Sequence, residues 1–471
     1  YSQSPTTGYI ILNDEYLFAG TSKTYNLYVW VDYGEDGVNN SQMNKTFEGI
    51  VAITDSVVYN RQGLYTLLNQ QQANISTLPK LLTNNHNSII DLTKNQGVDV
   101  NNVTNIYSVD LHKARPDYQN LNMAFFADVD NSDVIVTWTE GNNFFIGERN
   151  QIKLSSNMSY AFSNSYVASI EQTQLKSVIL RNFNTSKVTN MAYMFAQIGV
   201  EEGFNLDLGK NFNTSNVTNM SHIFFWTGDK NFSRLNLGNK FNTANVTDMS
   251  DMFRRVGMDS NEFTLELGSH FNTWKVTNMS NMFEHAGYNS TVFTLNLGNH
   301  FNTSNVTNMS SMFGGTGRNS LVFTLDLGLK FNTLKVTNMS TMFMGAGYSS
   351  PIFKLNLGSQ FNTINSSDMF MMFSSTGYSS IDFTLNLNDF VINNTSVDLL
   401  YFAEEIGATN IVFGSGWATT GANITNETFY RLKPVNVYYT DTSFHSFRVG
   451  NKTMWNRWRG SGNTTFIAGS P

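Results

Sequence analysis

Phenylalanine, methionine and leucine recur at fixed positions along most of this chain. Residues 271–300 read FNTWKVTNMSNMFEHAGYNSTVFTLNLGNH, and almost the same sequence is repeated twice more directly after it. The copies follow one another at intervals of 29 or 30 residues. They begin at Phe183, Phe212, Phe241, Phe271, Phe301, Phe331 and Phe361. A fixed period of this size predicts a solenoid, in which each unit buries its apolar face only against its neighbours.

The first half of each unit carries a helical pattern. Met279, Met282 and Phe283 are spaced by three and four residues, which places them on one face of a short helix. Asn278 precedes them in a position that holds only Asn or Asp in seven units, so we predict an N-cap. A stacked Asn ladder is a compatible second role. Gly287 recurs after the helix as a left-handed cap.

The second half of each unit alternates like a strand. Phe293, Leu295 and Leu297 are predicted to point inward and the residues between them outward, with Gly298 turning the chain. One strand and one short helix per coil predict an α/β solenoid with a parallel sheet along one face.

The rest of the chain precedes or caps this array. Residues 24–32 and 45–54 have strand-like patterns, and a helix is predicted to end before Pro79. Because terminal units of a solenoid must protect an open end, the flanking copies are expected to be atypical. We predict a β-rich N-terminal module with a linker at 1–115, an N-terminal cap at 116–180, the solenoid at 181–403 and a C-terminal cap at 404–471.

Composition narrows the functional classes. The net charge is −7, charged residues make up 14%, and there is no basic block, so nucleic acid is not an expected partner. The chain has no Cys, which excludes disulfides and favours a bacterial exported protein over a eukaryotic one. It begins at Tyr1 without a signal-like segment, so we expect a processed piece whose membrane or cell-wall anchor lies outside it.

The segment FNTSNVTNMSSMF followed by FTLDLG resembles the repeat of BspA-type leucine-rich-repeat surface proteins of Firmicutes and Mollicutes. The similarity covers roughly residues 120–440. The units here are longer than the family's usual ones and lack its Cys. The resemblance implies a leucine-rich-repeat-like array in a cell-surface or secreted bacterial protein used in adhesion or host interaction.

Two outward rows of the predicted sheet are candidates for a binding face. One row alternates acids with Asn, so that like charges are not adjacent. Its members include Asp207, Glu266, Asn296 and Asp326. The other row is mostly Thr and contains Arg234 and Lys354. A solvated face without a ligand is the competing interpretation.

Other candidates lie in the turns. His270 and His300 are expected to stack into a basic ridge, which we interpret as surface rather than a metal site because no carboxylate shares their row. Trp226 and Trp274 occupy slots that are small or polar elsewhere and are candidate anchors for a protein or glycan.

Metal and catalytic motifs are sparse. Asp128, Asp130 and Asp133 resemble a loose calcium loop but lack the spacing and terminal Glu of an EF-hand, so an ordinary turn is favoured. No G-x-S-x-G, P-loop or H-E-x-x-H motif occurs, so an enzyme and a cofactor are not expected.

These observations favour a non-catalytic, extracellular or cell-surface bacterial protein that binds a protein or glycan of a host or neighbouring cell. One alternative is a structural surface-layer or filament subunit that self-assembles through the N-terminal β module. Another is the glycan-binding part of a larger enzyme.

Overall fold

A computed structural model describes residues 61–81, 88–100, 102–111, 122–149, 151–163, 175–200, 203–235, 237, 240–268, 270–298, 300–392, 397–417, 427–439 and 465–468. The predicted strands at 24–32 and 45–54 lie outside these residues. The helices are α1 (Arg61–Ala73) and α2 (Ile89–Lys94), with single 3₁₀ turns at Ile75–Thr77 and Ser415–Trp417. The predicted helix before Pro79 is therefore confirmed as α1.

Sixteen strands are described, most of them short. They are β1 (Asn105–Asp110), β2 (Met123–Ala127), β3 (Val134–Glu140), β4 (Asn143–Glu148), β5 (Ile152–Lys153), β6 (Ser177–Ile179), β7 (Phe183–Asn184), β8 (Asn205–Asp207), β9 (Glu262–Glu266), β10 (Val292–Asn296), β11 (Val322–Asp326), β12 (Ile352–Asn356), β13 (Thr384–Leu387), β14 (Asn410–Phe413), β15 (Asn436–Tyr439) and β16 (Thr465–Ala468). They form sheets in the order β2-β3-β4-β1-β6-β8, β9 to β12 and β13 to β16, and β5 pairs with β7.

The first sheet is antiparallel at one edge and becomes parallel where it joins the array. β2, β3 and β4 are antiparallel neighbours, whereas β1 pairs in parallel with both β4 and β6. Leu64 and Leu68 of α1 join Trp138 of β3 in a small separate core. β1 lies before the predicted cap boundary at residue 116, yet it is part of this sheet; the domain boundaries themselves stay predictions.

The prediction of a short helix in each coil is wrong. The segment forms consecutive tight turns, in which the N–H of Met282 donates to the C=O of Met279, three residues back. The alternate N–H groups leave the coil: those of Met279 and Phe283 donate to the carbonyls of Asn308 and Met312 in the next coil, at 3.0 and 2.9 Å. The fold is therefore a β-solenoid with little helix, and not an α/β leucine-rich-repeat array.

Left-handed residues explain why a helix cannot form. Asn281 and His285 have φ values of 57° and 58°, and the equivalent positions of the other coils are left-handed too. Such a residue interrupts a right-handed helix and costs about 1–2 kcal/mol when it is not Gly. The hydrogen bonds to the next coil offset this cost. The spacing of Met279, Met282 and Phe283 therefore arises from turns that repeat every four residues.

Asn278 does not cap a helix. Its Oδ1 accepts a hydrogen bond from the backbone N–H of Ser280, two residues on, in an Asx turn. Equivalent residues of successive coils pair through their backbones as parallel β-bridges, so the predicted second role is confirmed as a stacked ladder, while Asn278 Oδ1 bonds within its own coil. They are Asn157, Asn190, Asn219, Asp248, Asn278, Asn308, Asn338, Asp368 and Asp398. These nine positions mark the coils of the solenoid.

A second ladder runs through buried threonines. The hydroxyl of Thr273 is fully buried; it donates to the C=O of Asn302 in the next coil at 2.8 Å and accepts from the N–H of the same residue at 2.7 Å. Thr243 and Thr303 make the same pair of bonds to their own next coils. Each hydroxyl thus satisfies one backbone donor and one backbone acceptor that would otherwise lack a partner.

Stacked aromatic rings fill the interior. Phe283 lies parallel to Phe253 and Phe313, with centroids 5.6 and 5.5 Å apart. Phe293 and Leu297 are buried as predicted, while Leu295 is partly buried. Each coil supplies one apolar layer that only its two neighbours cover, which is the packing a repeat period predicts.

Candidate binding face

The outward residues of β9 to β12 form a regular grid. Pairing of Glu262 to Glu266 with Val292 to Asn296, and of Val322 to Asp326 with Ile352 to Asn356, aligns equivalent residues of successive coils. Val292 pairs with Val322 and joins the two halves. Three outward rows result, and coils are spaced by ~4.8 Å. The first row is Glu262, Val292, Val322 and Ile352; the second is Thr264, Thr294, Thr324 and Lys354; the third is Glu266, Asn296, Asp326 and Asn356.

The third row contains the predicted alternation of acids and amides. Asn356 Nδ2 donates to Asp326 Oδ1 at 3.0 Å, so the amide next to an acid also supplies it with a hydrogen bond. Arg234 forms an ion pair with Glu266 at 2.5 Å. Asp207 lies on β8, in a different sheet, where its carboxylate pairs with Arg181 at 2.7 Å. The structure therefore brings most of the predicted strip together and leaves Asp207 outside the grid.

The first row was missed by the sequence analysis, and it is aliphatic. Val292, Val322 and Ile352 are 51%, 54% and 41% exposed. Leu321 and Ile381, from the adjoining positions before the strands, are 60% and 75% exposed. Together with the exposed Pro351 they form the aliphatic patch. A contiguous apolar surface of this kind marks an interaction site more often than scattered apolar residues do.

The predicted aromatic anchors lie in turns. Trp274 is 46% exposed, and the Lys275 ammonium lies 5.1 Å from its ring centroid. Trp226 is only half-buried; its Nε1 donates to Asp229 at 3.3 Å, and Arg255 covers its ring. Trp226 thus packs between coils, and Trp274 offers more free surface.

The two histidines of the predicted ridge are both exposed in the turns that precede the next Phe. His270 and His300 occupy equivalent positions, with Lys240 and Lys330 in the flanking coils. Within the described residues no group of three or more His, Asp and Glu is placed to hold a metal ion.

The loop that resembled a calcium site already contains a cation of the chain itself. The Lys80 ammonium donates to the carbonyls of Asp128 and Val129 at 2.5 and 3.0 Å, and to Asn131 Oδ1 at 2.5 Å. The side chains point to separate partners. Asp128 accepts from Ser132, Asp130 pairs with Lys187, and Asp133 pairs with Arg149.

A buried acid lies close to that loop. Glu148 is fully buried, and burial is the main reason why its pKa rises to about 8. The carboxylates of Asp133 and Asp128 add to the increase in its pKa, and Lys153 opposes it in part. Because the carboxyl group is mostly neutral near pH 7, it is a structural acid that ionises only in mild alkali.

A charged network on the turn side of the coils was also missed. Arg254 bridges Asp251 and Glu284 at 3.1 and 2.5 Å, and His222 lies 3.3 Å from Asp251. Burial lowers the pKa of His285 to about 4, helped by nearby arginines, so this imidazole is neutral at pH 7. The contacts join successive coils, and a structural role accounts for them.

Two adjoining surface grooves open where β12 is followed by β13. They have volumes of about 570 and 420 Å³ and share Ser359, Phe361, Asp389 and Phe390. Leu329 and Leu334, both exposed, lie at their rims. The grooves therefore place a second partly apolar surface in the same part of the array as the third row.

Comparison with known protein families identifies the family of the chain. Residues 156–292, 254–384, 288–409 and 319–436 each match a family described as "Mycoplasma protein of unknown function, DUF285". The overlapping matches span residues 156–436, which is more than half of the chain. The chain belongs to this family. Comparisons with curated proteins and with solved structures found no match.

Membership agrees with the repeat architecture and with the Mollicutes part of the resemblance noted from the sequence. The matches begin one residue before Asn157, the first position of the Asn ladder, and continue through the solenoid. Among the described residues, no helix combines the length and apolarity that a membrane crossing requires.

Proposed function

We propose that this solenoid is a non-catalytic binding protein of the bacterial surface, and that it attaches to a protein of a host or neighbouring cell through the outward face of β9 to β12. The observation that carries the proposal is the aliphatic patch. Aliphatic side chains are exposed in register on consecutive coils, next to polar rows that can supply hydrogen bonds. Adhesion and an extracellular location are further supported by the resemblance to BspA-type surface proteins.

The geometry suits recognition because the face is rigid. Every strand of the grid is held by its neighbours, and the core beneath it is continuous. A preorganised face loses little conformational entropy when a partner binds. Val292, Val322 and Ile352 contribute nothing to the core, so replacing them changes the surface and leaves the coil interfaces intact.

A binding panel tests the proposal. The intact chain is applied to immobilised extracellular-matrix proteins and glycans, beside the variant Val292→Thr/Val322→Thr/Ile352→Thr. Thr is β-branched and suits strands, so the variant should fold with an unchanged melting temperature. We expect binding to at least one protein that the variant loses. Leu334→Thr, which removes an exposed leucine outside the patch, is the matched control and should bind normally. Binding to no member of the panel, or equal binding by the triple variant, would contradict the proposal.

A glycan ligand is the second candidate, and exposed Trp274 favours it. An indole ring is a stacking surface for a sugar, although the Lys275 ammonium lies near this one. In this case Trp274→Ala should abolish binding to glycans on the panel, and the triple variant should retain it.

A further inference from the structure

The two ends of the aliphatic patch are acidic. Glu262 precedes Val292 in the first row, and Asp382 follows Ile352 one coil further on. Both carboxylates are exposed, and neither forms an ion pair within the described part of the chain. The row thus reads acid, three aliphatic residues, acid.

The neighbouring rows do not reverse this charge. Glu266 is neutralised by Arg234, which leaves Asp326 and Lys354 as the other charged groups of the grid. With Glu262 and Asp382 this amounts to three carboxylates against one ammonium. A partner with basic groups at both ends of an apolar segment is therefore complementary to the patch.

The same charges disfavour a second copy of this chain. Two patches that meet in antiparallel fashion would place Glu262 of one copy against Asp382 of the other, and a parallel pairing would bring like residues together. Both arrangements bring acid against acid, which is destabilising. An anionic lipid surface is disfavoured for the same reason.

The spacing of the coils selects the conformation of the partner. Successive coils present equivalent side chains every ~4.8 Å. A helix that lies along the solenoid axis presents one apolar residue per turn of ~5.4 Å, a difference of only ~0.6 Å per coil. An extended segment presents same-side residues every ~6.7 Å and falls out of step after one coil.

We infer that the aliphatic patch binds an amphipathic helix with a basic residue at each end. This inference rests on the proposed function and identifies the partner class. The distance from Glu262 to Asp382 along the first row is four coil intervals, or ~19 Å. At ~1.5 Å per residue this length is ~13 residues, and the nearest spacing that keeps both basic residues on the apolar face of the helix is ~14 residues, about four turns.

Designed peptides test the inference with the full chain. The probe is a helical peptide of roughly 16 residues, with leucines along one face and Lys residues at both ends of that face, roughly 14 residues apart. We expect saturable binding in fluorescence anisotropy, weakened at least tenfold when Glu replaces the Lys residues or when the leucines are distributed around the helix. The triple Thr variant should lose the binding, and Leu334→Thr should retain it. Charge reversal in the protein, Glu262→Lys/Asp382→Lys, should make the Glu-ended peptide the better ligand.

Several results would overturn the inference. These are no binding of the Lys-ended peptide, equal binding of the Glu-ended or redistributed peptide, and a preference unchanged by Glu262→Lys/Asp382→Lys. Concentration-dependent dimers in sedimentation that the triple variant lacks would assign the patch to self-contact, and binding to phosphatidylcholine vesicles would assign it to a membrane. If a panel protein binds through the patch while the peptide does not, the proposed function stands and only the helical partner is refuted.

Discussion

The buried threonine ladder provides a direct test of how the coils are held together. In Thr273→Val the side chain keeps nearly the same shape, but the hydroxyl is lost. The N–H and C=O of Asn302 then lose their partners, which lay 2.7 and 2.8 Å away. Leaving one buried polar group unpaired costs about 1–3 kcal/mol. The total cost for the N–H and the C=O is less than twice the largest single value, because Asn302 is only half-buried and water can reach these groups in part. We expect a loss of about 3 kcal/mol.

Thr273→Ser is the matched control. It keeps the hydroxyl and removes one methyl group, which costs about 1 kcal/mol. At about 2–4 °C per kcal/mol for a chain region of this size, the Val variant should melt about 6–12 °C below the native protein and the Ser variant about 2–4 °C below it. Circular dichroism or calorimetry measures the difference. A Val variant that melts at or above the temperature of the Ser variant would refute the role assigned to the hydroxyl.

Three further predictions concern stability. Because the pKa of Glu148 is raised to about 8, its neutral form stabilises the fold below about pH 4.5 and that contribution is lost as the pH rises through 8. Glu148→Gln should therefore unfold like the native chain at pH 4 but be more stable by about 4–5 kcal/mol at pH 9. Urea denaturation measures the difference, and equal pH profiles would contradict the prediction. Gly287→Ala should destabilise the fold by more than about 1 kcal/mol, because φ is 55° and an added Cβ would lie 2.4 Å from Phe293. An unchanged melting curve of the variant would contradict this prediction. Thr341→Asn should stabilise the fold by up to about 1 kcal/mol, because a β-branched residue at φ 55° is strained and Asn281 occupies the equivalent position of an earlier coil. A lower melting temperature of the variant would show that the hydroxyl contact between Thr341 and Ser311 matters more than this strain.

The repeat period was sufficient to predict the solenoid. A Phe that recurs in every copy, such as Phe283 or Phe293, is best buried against the equivalent Phe of the adjacent copies, and stacked coils provide that burial. The helix could not be excluded by hydrophobic spacing alone. Turns that repeat every four residues and helical turns of 3.6 residues place Met279 and Phe283 on the same side. The sequence did contain a sign of the left-handed turns. The position of His285 is occupied by Gly315 and Gly345 in later coils, and φ at this position is positive in every coil in which the structure describes it.

The candidate face was predicted in part. Strand alternation places Asn296 and Asp326 outward because their neighbours are buried, and this requires no knowledge of the turns. The aliphatic row was missed because Val292 directly precedes the inward Phe293 and looks in the sequence like another buried residue. Two adjacent apolar residues at the start of a strand cannot both point inward, and that conflict was the available signal.

The ladder of nine Asn and Asp residues has a consequence for the length of the molecule. Each coil meets its neighbours through the same atoms, so removing residues 301–330 would set the 271–300 coil on the 331–360 coil with Thr273 facing Asn332 as it now faces Asn302. The rod can therefore shorten or lengthen in whole steps of ~4.8 Å without a new type of interface. A change in the number of coils therefore alters the reach of this protein while the chemistry of each coil stays the same.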